Sequence, residues 1–163
     1  MAFDAFLKVE GCPGESTDDK HKEWIEIISF STGVTQPKAP TSTSGSMSAE
    51  RANFNDFVVT KTLDKASPKL AEKCASGEHF KEVIVELCRA GGDKQKYMEY
   101  KMTDCLVTSF RPGGHAGGEN LPLEEVAFAY GKIEWKYTST DPATGKAKGD
   151  VAAGWDLKAN KKV

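Results

Sequence analysis

The sequence predicts a mainly β protein, and three observations carry that reading. Four long stretches alternate apolar and polar residues with period two, glycine-bearing turns separate several of them, and only one stretch has the punctuation of a helix. In chain order, residues 3–9 form a short strand candidate. The segment 24–34 reads as a long strand, with Trp24, Glu26, Ile28 and Phe30 on one side and Ile25, Ile27, Ser29 and Ser31 on the other. A second short strand is expected at 54–60.

The helix follows. Ser67-Pro68 reads as an N-cap with proline at the first helical position, where the missing N–H leaves no bond unmade. Leu70 and Cys74 lie four apart on one face, and Gly77 supplies the left-handed residue that ends the helix. So short a helix is marginal alone. It is expected to dock on the sheet, plugging an open barrel end or covering an edge.

Alternation resumes at 79–90, where Val83, Val85 and Leu87 oppose Glu82, Ile84, Glu86 and Cys88. Ala90-Gly91-Gly92-Asp93 reads as a hairpin turn, because glycine reaches positive φ without a steric penalty. In 97–110, Met98, Tyr100, Met102, Leu106 and Phe110 alternate with Glu99, Lys101, Thr103 and Ser109. A flexible, glycine-rich connection at 112–118 leads to a fourth long strand at 123–138, which carries Val126, Phe128, Tyr130, Ile133, Trp135 and Tyr137. A terminal strand is expected at 154–157. Trp24, Phe128, Trp135 and Tyr137 are assigned to the core, the alternative being a share in contacts with another chain. Residues 35–53, rich in Ser, Thr, Pro and Gly, exceed the ~12–15 residues beyond which a structureless loop is disordered or serves binding. The chain therefore reads as one domain over residues 1–163 with a long loop at about 35–53 and no internal repeat.

Composition excludes several function classes. A chain of 163 residues, 39% apolar and 28% charged, buries roughly two-thirds of its unfolded surface and needs no metal or disulfide framework. Lys plus Arg number 22 against 24 Asp plus Glu, so there is no basic footprint for nucleic acid or an anionic membrane. The N-terminal residues alternate and include Asp4, unlike the basic start and apolar run of a signal peptide, and no stretch approaches the ~20 apolar residues of a membrane span. Cytosolic synthesis follows, with any export by a route that reads no cleavable leader. Cys12, Cys74, Cys88 and Cys105 include no Cys-x-x-Cys pair, so they are expected to be reduced, buried thiols and not metal ligands. His21, His79 and His115 are far apart, and His21 reads as part of a charged rim with Asp18 and Lys22. Asp18-Asp19 and Glu124-Glu125 do not make a glycosidase pair, since adjacent strand residues point to opposite faces. Elbow, metalloprotease and phosphate-loop motifs are missing. No catalytic residue, metal or cofactor is expected.

Read together, certain segments carry a resemblance. These are Gly14-Glu15-Ser16-Thr17-Asp18-Asp19-Lys20-His21 before Trp24-Ile25-Glu26-Ile27, then Ala66-Ser67-Pro68-Lys69-Leu70 and Ser76-Gly77-Glu78-His79-Phe80. Leu87-Cys88-Arg89-Ala90-Gly91-Gly92, Leu121-Pro122-Leu123-Glu124-Glu125-Val126, Tyr130-Gly131-Lys132-Ile133-Glu134-Trp135 and Gly154-Trp155-Asp156-Leu157-Lys158 follow in order. With them the sequence closely resembles the hemolysin-coregulated protein (Hcp) family, the inner-tube subunit of bacterial type VI secretion systems; segment 35–53 matches least.

The resemblance implies a compact β-barrel of two packed antiparallel sheets with one short α-helix. It implies homo-hexameric rings that stack into a tube, driven by a contractile sheath behind a spike protein, carrying effector proteins in the lumen and exported with them. The subunit would be cytoplasmic before firing and secreted afterwards. No fused toxin domain is expected after the 154–157 segment. Ser31 matches a family position associated with cargo, and Ser29 shares its strand face, so both are expected at the lumen. The long loop, with Gln36, Lys38, Ser42, Ser44, Ser46 and Arg51, is expected to reach the next ring. Glu86 and Arg89 are candidates for a pair across subunits, and Trp155 for local or intersubunit packing. The competing reading is a β-sandwich module that binds carbohydrate through Tyr97, Tyr100 and Trp155.

Overall fold

The computed structural model describes residues 2–37 and 49–163. Among them are eleven strands and one helix: β1 (Phe3–Val9), β2 (Ile25–Ile27), β3 (Ser29–Ser31), β4 (Val34–Thr35), β5 (Asn53–Phe54), β6 (Phe57–Thr62), α1 (Ser67–Ser76), β7 (Phe80–Arg89), β8 (Lys96–Gly113), β9 (Leu123–Thr140), β10 (Ala147–Asp156) and β11 (Lys161–Lys162). All pairings are antiparallel. The mainly β architecture with one short helix agrees with the sequence reading.

Nine strands form one sheet, ordered β11-β10-β9-β8-β7-β1-β2, with β6 pairing the near half of β9 and β3 pairing β6. The two expected layers are thus one sheet folded onto itself. Residues 25–31 join its ends, because β2 pairs β1 while β3 pairs β6. The expected single strand at 24–34 is broken at Ile28, whose N–H donates to the Thr60 carbonyl (2.7 Å) and whose side chain is 56% exposed. The break reverses the facing pattern. Ile25 and Ile27 point into the core, but beyond the switch Phe30 packs inward and Ser29 and Ser31 point out. Period two is local to a ladder, so a change of partner resets it.

Between the layers lie Leu7, Ile25, Phe57, Val59, Val83, Val85, Met102, Val126 and Phe128. Phe57 stacks on Phe30 (5.8 Å) and meets Tyr100 (5.3 Å), and Phe80 meets Phe128 edge-on (6.4 Å). Helix α1 packs beside β8 and ends as expected at Gly77, φ +67°. Its start differs from expectation. Ala66 occupies the N-cap without a side-chain bond, and Ser67, already helical, turns its hydroxyl into the protein. Asp64 fixes the entry instead, its carboxylate accepting from the Ala66 N–H at 2.9 Å. The turn at 90–93 forms as expected, with Gly91 and Gly92 at positive φ.

The largest departure is β10. Its sequence, Ala-Lys-Gly-Asp-Val-Ala-Ala-Gly-Trp-Asp, hardly alternates, yet it pairs with the far half of β9 down to Asp156. No helix of the described residues is long and apolar enough to cross a membrane.

Candidate assembly surfaces

Strands β8 and β9 are each eighteen residues long and outrun the layer that covers the core. Residues directly opposite in a ladder share a face. One row runs Ile27, Ala5, Leu87, Met98, Tyr137, Val151 across β2, β1, β7, β8, β9 and β10. Along that row the same face goes from core to solvent: Ile27, Ala5 and Leu87 are buried, Met98 partly so, Tyr137 is 48% exposed and Val151 72%. The next row, Ile25, Leu7, Val85, Tyr100, Trp135, Ala153, fades in the same way. A bulge opposite Leu87 turns Tyr97 inward beside Met98, and exposed Phe3 extends the patch. The core assignments therefore hold for Phe128, while Trp24 and Trp135 are half-buried and Tyr137 is open.

This arm also ends in a free edge. Strand β11 pairs only Trp155 and Asp156, so among the described residues positions 147–153 offer main-chain groups to no strand on their outer side. Such an edge is a template for another chain. Asp150 stiffens it, accepting from Thr138 Oγ1 (2.8 Å) and pairing with Lys136 (3.3 Å).

Ser29 and Ser31 lie on the outer face of the opposite layer. The row through Ser29 continues to Thr60, Glu125 and Arg111, and the row through Ser31 to Val58, Ala127 and Ser109. The face is small-residued and mixed in charge. At the base of the long loop, β4 and β5 pair Val34 with Phe54 and Thr35 with Asn53. Gln36 Oε1 accepts from the Glu50 N–H (3.0 Å), and Arg51 Nη2 donates to the Leu157 carbonyl (2.5 Å), tying the loop base to the C-terminal segment. Lys38, Ser42, Ser44 and Ser46 lie outside the described residues.

Two expectations fail on geometry. Glu86 is already engaged by His21 and Lys96, and Arg89 donates to Thr140 Oγ1 (2.5 Å), so the pair offered for an intersubunit contact is committed within the chain. Tyr100 packs on Phe57 inside the protein, so it does not share an exposed sugar-binding platform with Tyr97 and Trp155.

The sequence reading missed two buried polar clusters. Lys61 is fully buried, with Nζ donating to Glu124 Oε2 (2.6 Å) and Ser67 Oγ (3.0 Å) and lying 3.0 Å from Asp64; the Ser67 hydroxyl donates to Glu124 (2.7 Å). Buried ions persist only when paired and hydrogen-bonded, and this network bolts α1 to β6 and β9. The signal was present: Lys61 shares the parity of Phe57 and Val59. His21 is the second, 2% exposed rather than on a charged rim. Its hydrogen bond holds the Asp18 carboxyl below the usual carboxylate range. Burial, with Glu86 close by, pushes the Cys88 thiol up to about 11, and burial pushes Cys105 to about 12. Neither is a reactive thiolate in this setting. Of the remaining cysteines, Cys12 is buried and Cys74 half-buried.

Comparison with known proteins places these surfaces in context. The profile of the family described as "Type VI secretion system effector, Hcp" matches residues 6–137. Protein hcp1 of Pseudomonas aeruginosa is 32% identical over 161 residues, covering 98% of each chain. A solved structure described as that of a type six secretion system protein is 38% identical, superposes with a TM-score of 0.94 and covers 99% of this chain and all of its own. Hcp1 from Salmonella typhimurium is 32% identical with a TM-score of 0.80, covering all of both chains.

Proposed function

Because the chain belongs to the Hcp family of type VI secretion proteins, we propose that it is the inner-tube subunit of such a system, closing into homo-hexameric rings that stack. The observation that carries this reading is the arm formed by the far halves of β8, β9 and β10. Its apolar face continues the core face past the covering layer, and among the described residues it ends in an unpaired strand edge. A face and an edge that meet different surfaces of the next copy make a heterologous contact, and such contacts close into rings when the rotation permits.

The outer face of β3, β6 and the near half of β9 then supports the lumen reading. Ser29, Ser31, Thr60, Ser109, Glu125 and Arg111 offer short or mixed-charge groups, a surface over which protein cargo passes without strong adhesion. The loop based at Gln36 and Arg51 reaches the neighbouring ring. Sheath, spike and effectors are the partners, export is with the tube, and the subunit performs no bond-making. Native mass spectrometry with negative-stain electron microscopy tests the proposal. A six-fold mass and rings with a central hole are expected; a monomer at every concentration would refute it.

A further inference from the structure

The buried His21 cluster has no part in the tube reading. It hangs from the loop between β1 and β2, which folds tightly enough that a Cβ on Gly14 would lie 2.4 Å from the Trp24 carbonyl oxygen. The His21 ring stacks on Phe6 (4.1 Å, 3° between planes) and meets Trp24 edge-on (4.8 Å). Nδ1 lies 2.7 Å from Asp18 Oδ2, Nε2 lies 2.6 Å from Glu86 Oε2, and Cys88 Sγ lies 3.9 Å from Nε2. Glu86 and Cys88 sit two apart on β7, on the face opposite Val85 and Leu87.

Each imidazole nitrogen thus faces a carboxylate. A neutral imidazole carries one N–H. If Asp18 takes it at Nδ1, the Nε2 lone pair points at a carboxylate oxygen, and a cation must lie between them. A proton satisfies that requirement without the Cys88 sulfur. A metal ion uses all three donors, which lie within 4.8 Å of one another.

We propose that His21 Nε2, Glu86 Oε2 and Cys88 Sγ bind a zinc-class divalent transition ion, with Asp18 orienting the imidazole through Nδ1. Imidazole, thiolate and carboxylate are the donor set of zinc and not of the hard, all-oxygen cations. A carboxylate on the far ring nitrogen is the usual orienting partner of a metal-bound histidine. The second carboxylate oxygens are held as well: Lys96 is 3.3 Å from Glu86 Oε1, and Lys94 is 3.2 Å from Asp18 Oδ1. With bonds of about 2.0–2.3 Å, an ion seated here requires the Glu86 and His21 donors, 2.6 Å apart, to separate by less than ~1 Å. Binding releases the Cys88 thiol proton to solvent. The ion ties the β1–β2 loop to β7, and its donors, at positions 21, 86 and 88, form no Cys-x-x-Cys pair.

The test is a titration of chelator-treated full-length protein with Co²⁺ and then Zn²⁺, followed by absorption and thermal melting. One equivalent of Co²⁺ should give a thiolate-to-cobalt charge-transfer band that Zn²⁺ abolishes, and Tm should rise with metal concentration. Cys88→Ser, a near-isosteric change that leaves the core face untouched, should lose the band. Asp18→Asn should weaken affinity about 10–100-fold. No band and no Tm shift in the unsubstituted protein, or a band that persists in Cys88→Ser, would overturn the proposal. Ring formation is read separately by native mass, so failure here leaves the tube reading standing.

Discussion

Strands β8 and β9 each have two halves that differ in fate. The near half of β9, Val126 to Phe128, lies between β6 and β8 and is sealed by the opposite layer. The far half, through Trp135 and Tyr137, shifts its inward parity between Tyr130 and Ile133 and keeps the same aromatic character, yet among the described residues nothing covers it fully. Alternation specifies which way a side chain points; it does not specify what it meets. In the proposed ring, the second half is where a neighbouring copy belongs.

Substitutions should separate the halves. The largest losses of stability belong to the sealed end. Phe128→Ala should cost about 3–5 kcal/mol through lost burial and a cavity. Glu124→Ala should cost a similar ~3–5 kcal/mol by leaving Lys61 buried and unpaired. Both are read by urea unfolding of the isolated chain, and a cost under 1 kcal/mol for Phe128→Ala would mean that the end is not sealed.

In the open half, Tyr137→Ala with Val151→Asp should change the stability of the isolated chain by no more than about 1 kcal/mol while abolishing the six-fold mass. A comparable loss of both would erase the distinction between the halves. A smaller effect is expected at the helix end, where Gly77→Ala forces a positive φ and should cost about 1 kcal/mol.

The pH dependence is narrower still. The folded Asp18 carboxyl lies below its unfolded value, so its contribution is complete above about pH 4 and disappears as pH falls through the lower, folded pKa. Asp18→Asn should flatten the acid limb of the stability profile below pH 4 and leave its slope near neutrality unchanged. Smallest of all, Ser31→Gln should leave ring mass and melting unaltered and only reduce retention of cargo; loss of the ring would place Ser31 at a subunit contact.

Much of this was legible in the residues. Periodicity located β1, β6, β7 and the long β8 and β9, and Pro68 with Gly77 bracketed the helix. It failed where another force governed. The partner change at Ile28 inverted the faces of Ser29 and Ser31, because register is set by the ladder and not by the run of residues. Strand β10 was hidden because an arm exposed on both faces has no reason to alternate within one chain. Lys61 and His21 were hidden because charged side chains are taken as solvated unless their partners, Glu124 at one site and Asp18 with Glu86 at the other, are seen in space. The lysine could have been found from its core parity. The histidine could not, since two of its neighbours come from a strand more than sixty residues away.

Amide hydrogen exchange across residues 147–153, followed as protein concentration rises through the onset of assembly, probes the open edge directly. Those amides should exchange freely in the monomer and become protected in step with the six-fold species. Equal exchange in both states, with hexamers plainly present, would show that rings close through some other surface.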